Sequence, residues 1–227
     1  MLGTIVNAAA IVAGGTLGLL LKKGLPKKLS DTIMQGVGLI VVYIGISGSL
    51  KGSNTLVATL SMVIGGVIGT LLDFDGHLNQ FAHQLEKKLV KNAGEGSTFG
   101  EGFVTATLLF CVGAMAVVGS LNSGLTGDHE VLFTKSLLDG VSSIVFASAL
   151  GAGVLLSAVP LFLYQGAITL LAHVLAPVLS DVVVAEMTCV GSLLIVAIGT
   201  NMLKITNIKV MNFILAIFLP ILLCTFM

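Results

Sequence analysis

Residues 103–140 read FVTATLLFCVGAMAVVGSLNSGLTGDHEVLFTKSLLDG. The apolar part, residues 103–121, is long enough to cross a bilayer, which takes about 20 mostly apolar residues. A cluster of glycine, serine and asparagine at residues 119–124 closes it, and the polar segment TGDHEVLFTK follows before a second apolar run begins at Ser136. Because apolar spans alternate with such breaks along the whole chain, the sequence predicts an all-α, polytopic membrane helix bundle.

The composition supports a single integral membrane domain over residues 1–227. Of the 227 residues 56% are hydrophobic and only 10% are charged, and the mean hydropathy is +1.07. Soluble domains carry about 25% charged residues, so a soluble protein is excluded. The apolar runs provide seven or eight spans and leave no room for a separate soluble domain.

The charged and sulfur-containing residues exclude several classes of function. All eleven basic residues are lysines, balanced by eleven acids, so nothing indicates a nucleic-acid partner, and an arginine clamp for an anion is absent. Cys111, Cys189 and Cys224 lie in apolar runs at unrelated spacings, which predicts packing residues rather than disulfides or a metal site. The sequence also lacks HExxH, CxxC and phosphate-loop motifs. We therefore predict no enzyme, no cofactor and no metal.

The predicted spans are residues 2–21, 32–50, 55–72, 103–121, 136–159, 161–177, 182–203 and 210–227. Residues 22–28 carry four lysines and no acid, so the positive-inside rule places this loop in the cytoplasm and the N-terminus outside. The first apolar run has no basic residues before it and is predicted to be a retained span. Eight spans are favoured over seven, because a crossing at residues 161–177 makes every lysine except Lys51 and Lys135 cytoplasmic.

Residues 73–101 form the one long hydrophilic segment of the sequence. Leu78, Phe81, Leu85 and Leu89 recur within it at helical spacing. This pattern predicts an amphipathic helix on the cytoplasmic membrane surface.

Two internal resemblances suggest repeats. The glycines at positions 14, 15 and 18 of the first span recur in the third at positions 65, 66 and 69, an offset of 51 residues. Four of these glycines lie in two stripes, Ala10–Gly14–Gly18 and Ser61–Gly65–Gly69, that predict close helix packing. Residues 39–45 also resemble residues 193–199, and with eight spans these two segments run in opposite directions, as inverted repeats of secondary transporters do.

Polar side chains within a membrane are costly and are functional candidates by default. The candidates are Asn7, Gln35, Asn122, Lys135, Asp139, Gln165, His173, Asp181, Glu186 and Asn201. Lys135 and Asp139 are four residues apart on one helical face, either as a self-neutralising pair or as a pair that a substrate or cation opens. Glu186 has no basic neighbour in sequence, which predicts either a proton-exchanging carboxylate or a solvated one at headgroup level.

The neutral candidates follow possible helix breaks. Gln165 comes shortly after Pro160, and polar clusters with Asn122 and Asn201 follow Gly119 and Gly199, as a similar cluster follows Gly45. Each cluster is either an unwound span that offers backbone carbonyls or an ordinary helix end. The polar break with Asp128, which this topology places outside, is the predicted outer mouth of a pathway.

Two blocks of the sequence resemble a known family. GTIVNAAAIVAGGTLGLLLKKGLP at residues 3–26 and the segment LLFCVGAM…PLFLYQG at residues 108–166 resemble the bacterial membrane-protein family catalogued as domain of unknown function 554. The resemblance covers essentially the whole chain and implies a multi-pass protein of the bacterial inner membrane, but no activity. The positions that match the family block and are candidate site residues are Asn122, Gly127, Asp128, Lys135, Asp139 and Gln165.

The repeats, the polar breaks and the scarce carboxylates predict a small secondary transporter or permease for a small polar solute or cation. Proton or ion coupling and a homo-oligomer in the lipid bilayer are part of this expectation. Asp139 and Glu186 are the predicted coupling or binding carboxylates, and Asn122, Gln165 and Asn201 the predicted neutral ligands. The alternatives are a non-transporting membrane assembly or sensor protein and, less favoured, an ion channel.

Overall fold

The computed structural model describes residues 1–22, 26–77, 80, 84 and 98–226, and this part of the chain contains helices and no strands. The helices are α1 Leu2–Lys22, α2 Lys27–Ser49, α3 Thr55–Leu71, α4 Phe99–Cys111, α5 Ala114–Leu125, α6 Glu130–Leu150, α7 Gly153–Leu156, α8 Ala158–Leu170, α9 Ala172–Leu175, α10 Asp181–Met202, a 3₁₀ helix Val210–Phe218 and α11 Leu219–Phe226. The predicted all-α class is confirmed. Most of the predicted amphipathic segment, residues 73–101, lies outside the described residues.

Five helical segments of the described chain are long and apolar enough to cross a membrane. They are Leu2–Lys22, Asp31–Ser49, Glu130–Leu150, Gly153–Leu170 and Asp181–Met202. The bent pair α4 and α5 makes a sixth if it is counted as one span, and the apolar helices Thr55–Leu71 and Val210–Phe226 are shorter. Length and composition thus support five or six spans, fewer than the seven or eight predicted.

The span predicted at residues 103–121 is not one helix. It is divided between α4 and α5, whose axes meet at 59°. The chain bends at Val112, which is extended with ψ 131°, and at Gly113, which has φ 128°. That φ favours glycine because a side chain is strained there. The bend therefore places two helix ends inside a single apolar run.

The polar clusters that follow Gly45, Gly119 and Gly199 do not unwind. They lie in the last turns of α2, α5 and α10, which continue to Ser49, Leu125 and Met202. The alternative interpretation, ordinary helix ends, is the correct one for all three clusters. The physical reason is that these glycines make close helix contacts instead of a turn, since each would place a Cβ against a neighbouring helix.

The small-residue stripe of α1 packs against α6, as predicted. Gly14 and Gly18 lie directly against the backbone carbonyls of Gly140 and Ile144, so neither position has room for a Cβ. The equivalent stripe of α3 packs against the 3₁₀ helix in the same manner. Close backbone approach of this kind stabilises helix pairs in lipid, where burial of apolar surface supplies little.

Helices α1, α5, α6 and α8 form a unit that positions the candidate site. α1 packs along α6 and α8, and α5 packs against the same two helices. Gly3 of α1 and Gly119 of α5 both lie against Leu132 of α6, which is completely buried. Polar side chains that these helices direct inward are therefore shielded from the lipid.

Candidate functional site

Four polar side chains meet inside this unit: Asn7 of α1, Lys135 and Asp139 of α6, and Gln165 of α8. Asn7 and Gln165 are completely buried, and Lys135 and Asp139 are only 6% and 7% exposed. α6 begins at Glu130, so the two charged residues lie one to three turns inside the helix rather than in a polar break. The structure thus brings three of the predicted site residues together with Asn7, a candidate to which the sequence assigned no role.

The Asp139 carboxylate has two donors on the same oxygen. Lys135 Nζ lies 2.6 Å from Asp139 Oδ2, and Asn7 Nδ2 donates to that oxygen at 3.0 Å. A buried ion pair offsets its desolvation only when further hydrogen bonds satisfy the charged groups. Asn7, which lies 132 residues away in the chain, supplies such a bond, so the pair depends on the packing of α1 against α6.

The amide groups of Asn7 and Gln165 leave one acceptor and one donor unused. Asn7 Nδ2 also lies 3.5 Å from Gln165 Oε1, and Asn7 Oδ1 and Gln165 Nε2 have no hydrogen-bond partner in the described chain. The orientation of Asn7 is set by Asp139, because a carboxylate only accepts and must face the amide nitrogen. Each buried polar atom without a partner costs about 1–3 kcal/mol. The cluster is therefore suited to a small polar guest that both donates and accepts.

Further hydroxyl groups without partners lie on the same helices. Thr4 Oγ1 is three residues from Asn7 on α1, and Thr169 Oγ1 is four residues from Gln165 on α8. Ser120 and Ser123 of α5 are buried in the same unpartnered state among the described residues. The interior of the unit is thus more polar than the apolar composition of its helices suggests.

A cavity of 280 Å³ lies beside the ion pair. Lys135, Asp139 and Ser142 line one side of it, and Lys51 from the loop after α2 lines another. The first turn of α5 also faces this space, and no described side chain caps that helix. Because the first N–H groups of a helix have no intrahelical partner, the break in the α4–α5 span provides backbone donors at the cavity.

Glu186 is not part of this cluster. Its side chain is completely buried, and Oε1 accepts hydrogen bonds from the backbone N–H of Ser53 at 2.7 Å and of Asn54 at 2.9 Å. The Ser53 hydroxyl donates to the same oxygen at 3.2 Å. Glu186 is therefore not solvated at headgroup level. It fixes the loop between α2 and α3, through donors that are too distant in sequence to be foreseen.

Three further candidates also lie away from the cluster. Asn201 closes the turn after α10, since Oδ1 accepts from Ile208 N–H at 2.9 Å while Nδ2 donates to the Ile208 carbonyl at 2.8 Å. Asp128 is exposed and accepts from the N–H of Glu130 at 2.9 Å, at the start of α6. Asn122 is half-buried in α5. None of the three has a hydrogen bond to the cluster among the described residues.

A second cavity, of 380 Å³, lies at the C-terminal end of α10. Ile198 and Asn201 of α10, Glu101 and Val104 of α4, and residues 206–211 contribute to its lining. Asn201 therefore has a cavity beside it, but a different one from that beside Asp139.

Sequence reasoning counted Asn7 among the polar candidates but gave it no role in the site, and it missed Lys51. The available signal for Asn7 was that it is the one amide in an apolar first span. Lys51 gave none, because a lysine just after a helix is an ordinary interfacial residue. Its position at the cavity follows from the packing of the loop between α2 and α3.

Comparison with known proteins places the whole chain in one group. The family model described as Protein of unknown function (DUF554) matches residues 2–225. The Uncharacterized membrane protein YdfK of Bacillus subtilis (strain 168) is 33% identical over 224 residues, which cover 97% of this chain and 94% of the relative. The Uncharacterized protein YqgA of Escherichia coli (strain K12) is 30% identical over 222 residues, or 96% and 94% of the two chains. No solved structure matches.

Proposed function

The chain belongs to the DUF554 family, and from that premise we propose that it is a small secondary transporter or permease for a small polar solute or cation. One observation carries the proposal: a buried ion pair lines a cavity at a break in an apolar span. Asn7 and Gln165 extend the hydrogen bonds of that pair, and each leaves one amide atom without a partner in the described chain. Transporters place their binding sites at broken spans, because helix ends provide polar groups at membrane depth.

In this proposal Asp139 is the binding group for the transported solute or for a coupling cation. Lys135 neutralises the carboxylate when the site is empty, and it has space to withdraw because it also lines the cavity. Asn7 and Gln165 supply an acceptor and a donor to the solute. Glu186, Asn201, Asp128 and Asn122 have no part in binding at this cluster.

We propose eight spans in a bacterial inner membrane, with the N-terminus outside. The five long segments, the bent α4–α5 pair and both shorter helices would each cross once. Thr55–Leu71 has 17 residues, about 26 Å of α-helix, which slight thinning of the bilayer accommodates. Val210–Phe226 reaches about 30 Å because a 3₁₀ helix rises about 2.0 Å per residue. The bacterial relatives and the lysine-rich residues 22–28 support this placement.

The test is uptake into proteoliposomes with radiolabelled sodium, methylammonium and glycine as probes. The wild type is expected to take up at least one of them, and Asp139→Asn is expected to reduce that uptake by at least about tenfold, the loss of one hydrogen bond to a charged group. Asp128→Asn makes the same chemical change at an exposed position and should leave uptake unchanged.

Two results would contradict the proposal. Uptake of a probe that Asp139→Asn leaves unchanged would remove the cluster from the mechanism. Absence of uptake for every probe would favour the non-transporting assembly or sensor protein, whose candidate contact region is the hydrophilic segment at residues 73–101.

A further inference from the structure

Helices α2 and α10 cross with a reciprocal set of contacts. A shift of 154 residues relates residues 39–45 of α2 to residues 193–199 of α10. A Cβ at Gly45 would lie 2.6 Å from the Val196 nitrogen, and a Cβ at Gly199 would lie 2.8 Å from the Val42 nitrogen. The same shift converts Gly45 to Gly199 and Val42 to Val196. The crossing is therefore the same from either helix, as a local two-fold axis requires.

A second contact pair follows the same relation. The Cβ built at Gly45 would also lie 2.9 Å from the carbonyl oxygen of Ser192, and that at Gly199 would lie 3.0 Å from the carbonyl oxygen of Gly38. Gly38 and Ser192 are again 154 residues apart. Ser192 and Val196 are four residues apart on α10, as Gly38 and Val42 are on α2, so both contacts mark one crossing point. That point is the same from either helix, and the geometry of the crossing thus matches the resemblance between the segments.

The helices on either side extend the relation. The shift carries Lys27–Ser49 onto residues 181–203, where the structure has Asp181–Met202, and it carries Thr55–Leu71 onto residues 209–225, where it has Val210–Phe226. Each half is thus a long helix, a short turn and a shorter apolar helix. The two shorter helices, Thr55–Leu71 and Val210–Phe226, pack antiparallel, since Gly65 lies against Ala216 while Gly69, further along α3, lies against Asn212.

The two cavities lie at equivalent places in these halves. Ile44 lines the cavity beside Asp139, and Ile198, which is 154 residues further on, lines the 380 Å³ cavity. Lys51 and Thr206, from the turns that follow the two long helices, line the same two spaces. Because the halves are antiparallel, equivalent positions lie at opposite ends of the helix pair.

Helix α4 lines both cavities. Val104 and Thr105 line the 380 Å³ cavity, and Leu109 and Phe110 line the cavity beside Asp139. Thr105 and Leu109 are one helical turn apart, about 6 Å along the axis. Ala106, within that turn, is completely buried. The barrier between the cavities along α4 is therefore about one helical turn.

We propose that residues 27–71 and 181–225 are inverted repeats and that the two cavities are the outer and inner vestibules of one pathway. This inference rests on the proposed transport function and adds a second binding region to it. The 380 Å³ cavity is the cytoplasmic vestibule for the same small polar solute or cation, and Glu101 and Asn201 offer it the carboxylate and amide chemistry of Asp139 and Asn7. Exchange of tilt between the two repeats would open one vestibule as it closes the other.

The test is the sidedness of cysteine labelling in a chain with Cys111, Cys189 and Cys224 replaced by alanine. Leu109→Cys and Ile44→Cys are expected to react with a membrane-impermeant maleimide at least about tenfold faster from outside, because an aqueous thiol ionises and reacts as the thiolate. Val104→Cys and Ile198→Cys are expected to show the opposite preference. The labelling rates are measured in right-side-out and in inside-out vesicles, and the measurement needs no transported solute.

Tyr43→Cys is the matched control, because Tyr43 is adjacent to Ile44, is 68% exposed and lines neither cavity. It should react from neither side. Equal labelling of Val104→Cys and Leu109→Cys from the same side would overturn the inference, and this α4 pair decides the matter even if Ile198→Cys does not fold. Sided labelling without uptake of any probe contradicts the transport function alone, whereas uptake with same-sided labelling contradicts the vestibules alone.

Discussion

The buried carboxylate of Asp139 is stabilised by Lys135 and Asn7, which both donate hydrogen bonds to its Oδ2. Lys135→Met removes the charged donor and leaves an unbalanced charge, so we expect the free energy of unfolding to fall by about 3–5 kcal/mol. Adding Asp139→Asn removes the charge as well and should restore most of the stability. Chemical unfolding in detergent measures both changes.

The same double variant separates function from structure. Its uptake of the transported probe should remain absent although the protein folds, because the binding carboxylate is gone. Uptake at the wild-type rate would mean that the ion pair is a structural device of α6.

Substitution of Glu186 is expected to change the stability of the protein but not its uptake. Glu186→Gln keeps the shape of the side chain but makes its hydrogen bonds to Ser53 and Asn54 neutral, which should lower the free energy of unfolding by about 1–2 kcal/mol. Uptake per folded protein should not change, because Glu186 lies outside the cluster. Glu130→Gln, at an exposed position in the first turn of α6, serves as the control. It should leave uptake unchanged and lower the free energy of unfolding by no more than about 0.3–1 kcal/mol, through the lost charge at the helix N-terminus.

A large loss of uptake in Glu186→Gln with unchanged stability would instead return this residue to the mechanism.

The contrast between the two carboxylates shows which part of the site a sequence can predict. The pair Lys135–Asp139 follows from a spacing of four on one helix. The partners of Glu186 and the contact of Asn7 with Asp139 join positions more than a hundred residues apart, and only packing brings them together.

At the scale of the helices, Gly113 lies at the bend between α4 and α5 and lines the cavity beside Asp139. Its φ of 128° permits the bend between α4 and α5, and an alanine there would be strained although no atom lies within 4 Å of the added Cβ. We expect Gly113→Ala to lower the free energy of unfolding by about 1–2 kcal/mol and to slow uptake.

Gly36→Ala provides the matched comparison. Gly36 lies within α2 and also has open space around an added Cβ, so an alanine there should be neutral or slightly stabilising. Equal effects of the two substitutions on unfolding and uptake would mean that the bend has no special role.

The position of the bend could not be predicted, although the span itself could. Sequence reasoning named the polar clusters after Gly45, Gly119 and Gly199 as either unwound spans or ordinary helix ends. Those glycines serve the approach of neighbouring helices, and their helices continue. Gly113 stands among apolar residues, and only its backbone conformation distinguishes it.

At the scale of the whole molecule, the class of protein was the most predictable feature, because 56% hydrophobic and 10% charged residues leave no other fold. The number of spans was less predictable. The predicted spans 136–159 and 161–177 were divided at Pro160, whereas the structure ends one helix at Leu150 and has the next span at Gly153–Leu170. Gly151, with φ 90°, sets that boundary, and apolar composition conceals it.

The eight-span topology makes the last prediction. Cysteines at the exposed positions of Lys51, His77, Asp128 and Lys204 should react with a polyethylene-glycol maleimide in two groups. Lys51→Cys and Asp128→Cys should be modified in intact cells, whereas His77→Cys and Lys204→Cys should require permeabilised ones; a gel shift in the cysteine-free background measures both. Modification of Lys51→Cys and His77→Cys under the same condition would remove α3 from the spans. This pair is decisive because, among the described helices, α3 alone is long enough to cross between positions 51 and 77.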